Sequence, residues 1–68
     1  MTEVAISGQS IRLGQFLKLA NAIDSGADAK AVIATGEVTV NGQPENRRGR
    51  QLVRGDTVAV GVIELVVG

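Results

Sequence analysis

The chain has no cysteine, no histidine, no tryptophan and no tyrosine among its 68 residues, and Phe16 is its one aromatic side chain. Each absence removes a class of function. Without cysteine there are no disulfides and no thiolate metal sites, so the staples of small secreted domains are excluded and the expected setting is the cytoplasm. Without histidine as well, the chain lacks the usual base near neutral pH, the usual thiol nucleophile and two common metal ligands. An enzyme is not expected, nor any cofactor or metal. Asp24 and Asp28 lie four apart, but a turn residue and a helix-start residue account for both. Neither a P-loop nor a dinucleotide fingerprint can be written onto the glycines. No apolar run approaches the roughly 20 residues needed to span a bilayer, and the start of the chain has no signal-peptide pattern.

What is present is a short aliphatic chain with unevenly placed charge. Sixty-eight residues allow one domain, here residues 1–68 without linker or repeat, that buries only about 60% of the surface its unfolded chain exposes. Val, Ile, Leu and Ala must supply the core. The formal net charge is zero, from seven basic and seven acidic residues. Residues 43–54, however, carry Arg47, Arg48, Arg50 and Arg54 against Glu45 alone, a balance of +3. The rest of the chain sums to −3, with Arg12, Lys18 and Lys30 against six acids. The molecule is polarised. Arginine suits phosphate because its planar fork donates two hydrogen bonds at once and stays charged. The plainer reading of such a stretch is a solvated loop.

Local patterns give an order of elements. Val4-Ala5-Ile6 reads as an edge strand and Ser7-Gly8-Gln9-Ser10 as a turn, with Ser10 placed to cap a helix. Leu13, Phe16, Leu17 and Ala20 then follow the spacing of one helical face, with Arg12, Gln15 and Lys18 pointing elsewhere. Gly14 inside this helix costs about 1 kcal/mol relative to Ala, which suggests that another backbone lies close. Ser25-Gly26-Ala27-Asp28 resembles a capping box opening a second helix, with Ala29, Val32 and Ile33 on its buried face and Gly36 as its stop. Glu37-Val38-Thr39-Val40 alternates at period two, and Asn41-Gly42 is a strong hairpin signal because both residues tolerate positive φ. Pro44 confines the returning strand to an edge. Arg54-Gly55-Asp56 reads as a turn, Thr57 to Val60 as a strand, and Val62 to Val67 as a last strand after a bend at Gly61. The expected fold class is α+β, in the order β-α-α-β-β-β, with two short helices packed on a small, mostly antiparallel sheet.

Four stretches carry a resemblance to a known family: Arg12 to Leu19, Ser25 to Ile33, Gly36 to Gly42, and Arg54 to Val58. Together with the basic Arg-Arg-Gly-Arg segment, they resemble the small RNA-binding domain of the ribosomal protein S-four type, and in particular its stand-alone bacterial members. The resemblance spans most of the chain. It implies an alpha-L fold in which two short helices and an L-shaped turn present the binding surface. It also implies a site in which Lys18, Lys30, Arg47, Arg48 and Arg50 face the same phosphates. The partner would be structured RNA, with ribosomal RNA or the ribosome first, met through shape and backbone phosphates. The sequence departs from the family's usual Ser-Arg at the second helix, having Ser25-Gly26 and a later cation at Lys30.

Two rival readings belong to other classes. A sulfur-carrier or ubiquitin-like domain would share the length, the Val-Asn-Gly hairpin and a terminal glycine. Such carriers end Gly-Gly and begin with a strand hairpin before one long helix, whereas this chain reads Val66-Val67-Gly68 and offers two helices first. A protein-interaction module would use Val62 to Val67 as an exposed apolar edge. A single arginine surface on a small core gives no reason to dimerise, so a monomer is expected.

Overall fold

A computed structural model of the chain describes residues 1–23 and 26–68, the side chains of 26–28 excepted. Among the described residues, seven strands and two helices follow one another: β1 Thr2–Val4, β2 Ser10–Arg12, α1 Leu13–Leu19, α2 Gly26–Ala34, β3 Val38–Val40, β4 Gln43–Pro44, β5 Gln51–Val53, β6 Thr57–Val60 and β7 Ile63–Val67. Five strands form one sheet in the order β1-β7-β6-β3-β4, and β2 pairs with β5 in a separate ribbon. Only β1 runs parallel, alongside β7; the other pairings are antiparallel. The α+β class with a mostly antiparallel sheet is as the sequence reading expected.

Alternation places the core. Val38, Val40, Val58, Val60, Leu65 and Val67 turn inward from β3, β6 and β7, and they form one cluster with Leu13, Phe16 and Leu17 of α1 and Ala29 and Ile33 of α2. Phe16 is wholly buried, as its spacing with Leu13 and Leu17 required. Burying each large aliphatic side chain stabilises by roughly 1.5–3 kcal/mol, so this aliphatic set carries the fold.

The turns that depend on backbone handedness fall where the residues allow them. Asn41 and Gly42 take φ of 53° and 83° and join β3 to the two-residue edge strand β4, which holds Pro44. Gly36, at φ 81°, ends α2 and donates its amide to the carbonyl of Ile33 at 3.2 Å. Few residues other than Gly and Asn adopt this region without a steric cost.

Four expectations need correction. The first strand is Thr2–Val4 rather than Val4 to Ile6. Ser10 caps no helix, because it lies in β2 opposite Val53. The β2 and β5 ribbon was missed altogether, since three residues each, with Ile11 half-buried and Leu52 buried, show too little alternation to stand out. Finally, the segment proposed as an exposed edge, Val62 to Val67, forms β7 from Ile63 onward, between β1 and β6 with Leu65 and Val67 buried, while Val62 precedes the strand and is exposed. That removes the structural basis of the protein-interaction reading. The capping roles given to Ser25 and Asp28, and the turn role of Asp24, fall outside the described residues.

Candidate nucleic-acid interface

The start of α1 is where the arginine segment meets the helices. A helix leaves its first amides without intrahelical partners. Here Arg12 occupies the N-cap position and makes no side-chain capping bond. Instead the amide of Leu13 donates to the carbonyl of Arg50 at 2.8 Å, and that of Gly14 to the carbonyl of Arg48 at 3.0 Å. The backbone suspected beside Gly14 is therefore the arginine segment itself. A Cβ at residue 14 would stand 2.6 Å from Cγ of Arg48, closer than any Cβ is tolerated. Glycine lets the Arg48 side chain cross the first turn of the helix.

This crossing closes one wall of an open groove of about 310 Å³ whose described lining includes Arg12, Gly14, Lys18, Ala29, Arg48 and Gly49. Three cations, from the N-cap of α1, its last turn and the segment, thus share one concavity. Lys18 also sits where the helix dipole favours a cation, a contribution of about 0.3–1 kcal/mol. Arg12 is not among the five cations that the resemblance names, although Arg12, Gln15 and Lys18 follow the i, i+3, i+6 stripe that faces away from the core. That stripe was the available signal.

The other basic residues are placed differently. Lys30 is exposed on α2 but is not among the groove's described lining residues. Arg54 donates from NH2 to the carbonyl of Ile6 at 3.0 Å, a structural tie between the β5 to β6 turn and the exit of β1. Arg47 and Arg50 converge on Glu45. Its Oε2 accepts from the Arg47 amide at 3.0 Å and from Arg47 Nε at 3.1 Å. Its Oε1 accepts from Arg47 NH2 at 3.2 Å and from Arg50 NH1 at 2.9 Å.

Glu45 is the one buried charged residue among those described, at 5% exposure. A carboxylate withdrawn from water needs such partners. The hydrogen bonds from Arg47, then those from Arg50, hold its pKa at about 2 rather than the usual 4.5, against an opposing push from burial. Glu45 in turn raises Arg47 above its ordinary value, chiefly through the same hydrogen bonds. The Arg47 side chain nevertheless stays 73% exposed and that of Arg50 32% exposed, so both keep unpaired N–H edges toward solvent. Of the five cations named by the resemblance, Lys18 and Arg48 line the groove, Arg47 and Arg50 are held on Glu45, and Lys30 stands apart.

Comparison with known proteins matches residues 4–67 to the model of the S4 domain. The chain belongs to the S4 domain family. A relative from Bacillus subtilis (strain 168), named "Probable ribosome maturation protein RlbA", is 51% identical over 57 residues, which covers 84% of this chain and 80% of that one. Another from Escherichia coli (strain K12), named "Putative RNA-binding protein YbcJ", is 43% identical over 49 residues, covering 72% of this chain and 70% of its own. Among solved structures, the 30S ribosomal protein S4e from Thermoplasma acidophilum superposes with a TM-score of 0.64 at 21% identity, over 85% of this chain and 31% of that one. At that identity the likeness speaks for the S4 fold. Membership in this family, with two helices ahead of the Asn41-Gly42 hairpin, leaves no place for the sulfur-carrier reading. Among the described residues of this S4 domain, no helix is long and apolar enough to cross a membrane.

Proposed function

We propose that this S4 domain is a non-catalytic binder of folded RNA, ribosomal RNA first, acting as a cytoplasmic monomer. The observation that carries the proposal is the groove that brings Arg12, Lys18 and Arg48 together, with Arg48 carried on a segment whose carbonyls cap α1. The exposed edges of Arg47 and Arg50 lie on the same segment as Arg48, and Lys30 adds a separate exposed cation on α2. The family and the printed names of the two bacterial relatives support this reading. Phe16 is wholly buried, so bases find no aromatic platform and the contacts are to phosphates and to the shape of the fold. Zero net charge keeps the long-range field weak, which favours a docked surface over general adhesion.

The test is fluorescence anisotropy of a structured ribosomal RNA fragment over a salt series, comparing the wild type with a variant carrying Arg12→Ala, Lys18→Ala and Arg48→Ala. Three lost phosphate contacts should flatten the slope of log affinity against log salt by about two to three and remove most of the affinity. Absence of wild-type binding at low salt, or an unchanged slope in the variant, would overturn the reading.

A further inference from the structure

Counting residues, the segment from 47 to 54 offers four arginines, yet the structure leaves one of them to the groove. Arg54 is tied to the carbonyl of Ile6, and Arg47 and Arg50 are tied to Glu45. The two oxygens of that carboxylate accept four hydrogen bonds, three from Arg47 and one from Arg50. These bonds also draw the segment into a turn, in which the amide of Arg50 donates to the carbonyl of Arg47 at 3.2 Å. Arg48 sits at the top of that turn, with its own carbonyl on α1.

We propose that Glu45 is a specificity-determining residue of the RNA site, holding the guanidinium groups of Arg47 and Arg50 back from flexible, unpaired phosphate chains while fixing the turn that aims Arg48 into the groove. The inference rests on the RNA reading above and adds a partner preference to it, folded over unpaired RNA. A flexible strand is held by as many mobile cations as it can find, and each phosphate neutralised steepens the salt slope by about 0.7. Two arginines bound to a buried carboxylate give little to such a strand, because part of their charge is offset, three of their side-chain N–H groups are already bonded and their geometry is fixed. A folded RNA whose phosphates match the fixed positions loses nothing by it. Glutamine at residue 45 would present an amide N–H₂ to the guanidinium groups in place of one oxygen, so at least one arginine would be released.

The experiment compares wild type and Glu45→Gln on two RNAs of equal length, a single-stranded poly(U) oligonucleotide and a folded ribosomal RNA hairpin, over the same salt series. For Glu45→Gln the poly(U) slope should steepen by about 0.7 to 1.4. Its poly(U) affinity at low salt should rise about threefold, and the preference for folded RNA should fall about tenfold. A variant whose slope and preference both equal those of the wild type overturns the inference while leaving RNA binding intact. A wild type that fails to bind the folded RNA overturns the underlying reading, and this one with it. Circular dichroism and the exchange of the Leu13 and Gly14 amides establish that the variant is folded. If it is not, Arg50→Gln decides, since the Arg47 fork remains on Glu45. A poly(U) slope within about 0.3 of wild type supports the inference, and a loss of about 0.7 overturns it.

Discussion

The hairpin at Asn41-Gly42 and the segment from Glu45 to Arg50 are neighbours along the chain and are built on opposite principles. The hairpin is settled by its own residues: two positive φ angles, a two-residue turn and ladder bonds on either side. Its side-chain bonds run to the start of β6, where Asn41 Oδ1 accepts from the Thr57 amide at 2.9 Å and Nδ2 donates to Asp56 at 3.1 Å. The segment has no ladder. It folds around one buried carboxylate and lends its carbonyls to α1. A regular turn positions backbone, whereas a turn wrapped on a charge positions other charges. The basic surface is found on the second kind.

The segment is most vulnerable from beneath. Leu52 follows it in β5 and is wholly buried, so Leu52→Ala should cost about 2–5 kcal/mol, a large share of the stability of so small a domain. Chemical denaturation would measure this. Hydrogen exchange should then show the Leu13 and Gly14 amides losing protection well before that of Asn41; equal loosening of both regions would contradict the division drawn here.

A smaller effect sharpens the hairpin side. Asn41→Ala puts a Cβ without compensating bonds at φ 53° and should cost about 2 kcal/mol, while Asn41→Gly keeps the backbone freedom and should cost about 1 kcal/mol. Equal losses from the two would mean that handedness is not what the asparagine supplies.

The last effect changes with pH only in acid. Glu45 has its pKa lowered from 4.5 to about 2 in the folded chain, so its contribution is complete above pH 4.5 and is lost as pH falls from there toward about 2. The difference in thermal midpoint between wild type and Glu45→Gln should be constant from pH 5 upward and shrink through that acid window. Parallel curves down to pH 2 would show that the carboxylate is not held by its arginines.

What the sequence made legible divides along the same line. Asn41-Gly42, Gly36, Pro44 and the Leu13, Phe16, Leu17 face were readable because each states its geometry within a few residues. Gly14 was half legible: its cost in a helix signalled a close backbone, but which backbone depended on a chain reversal more than thirty residues away. The β2 and β5 ribbon and the role of Glu45 were hidden for the same reason. In a list of charges Glu45 merely subtracts one from an arginine cluster; only packing reveals that it lies beneath two of them. Ser10 misled because a good capping residue stood near a helix start that tertiary carbonyls already satisfied.

The pairing of β1 with β7 sets Thr2 beside Leu65 and holds the second residue to nearly the last. Pairing Thr2 with Leu65 spans 63 positions of chain, and long-range closure slows folding more than it affects final stability. The residues that line the groove all precede β5, yet α1 and α2, which carry most of them, rest on Val58, Val60, Leu65 and Val67 of β6 and β7. During synthesis the lining therefore emerges before the strands that hold its helices in place. The basic surface is made early and fixed late.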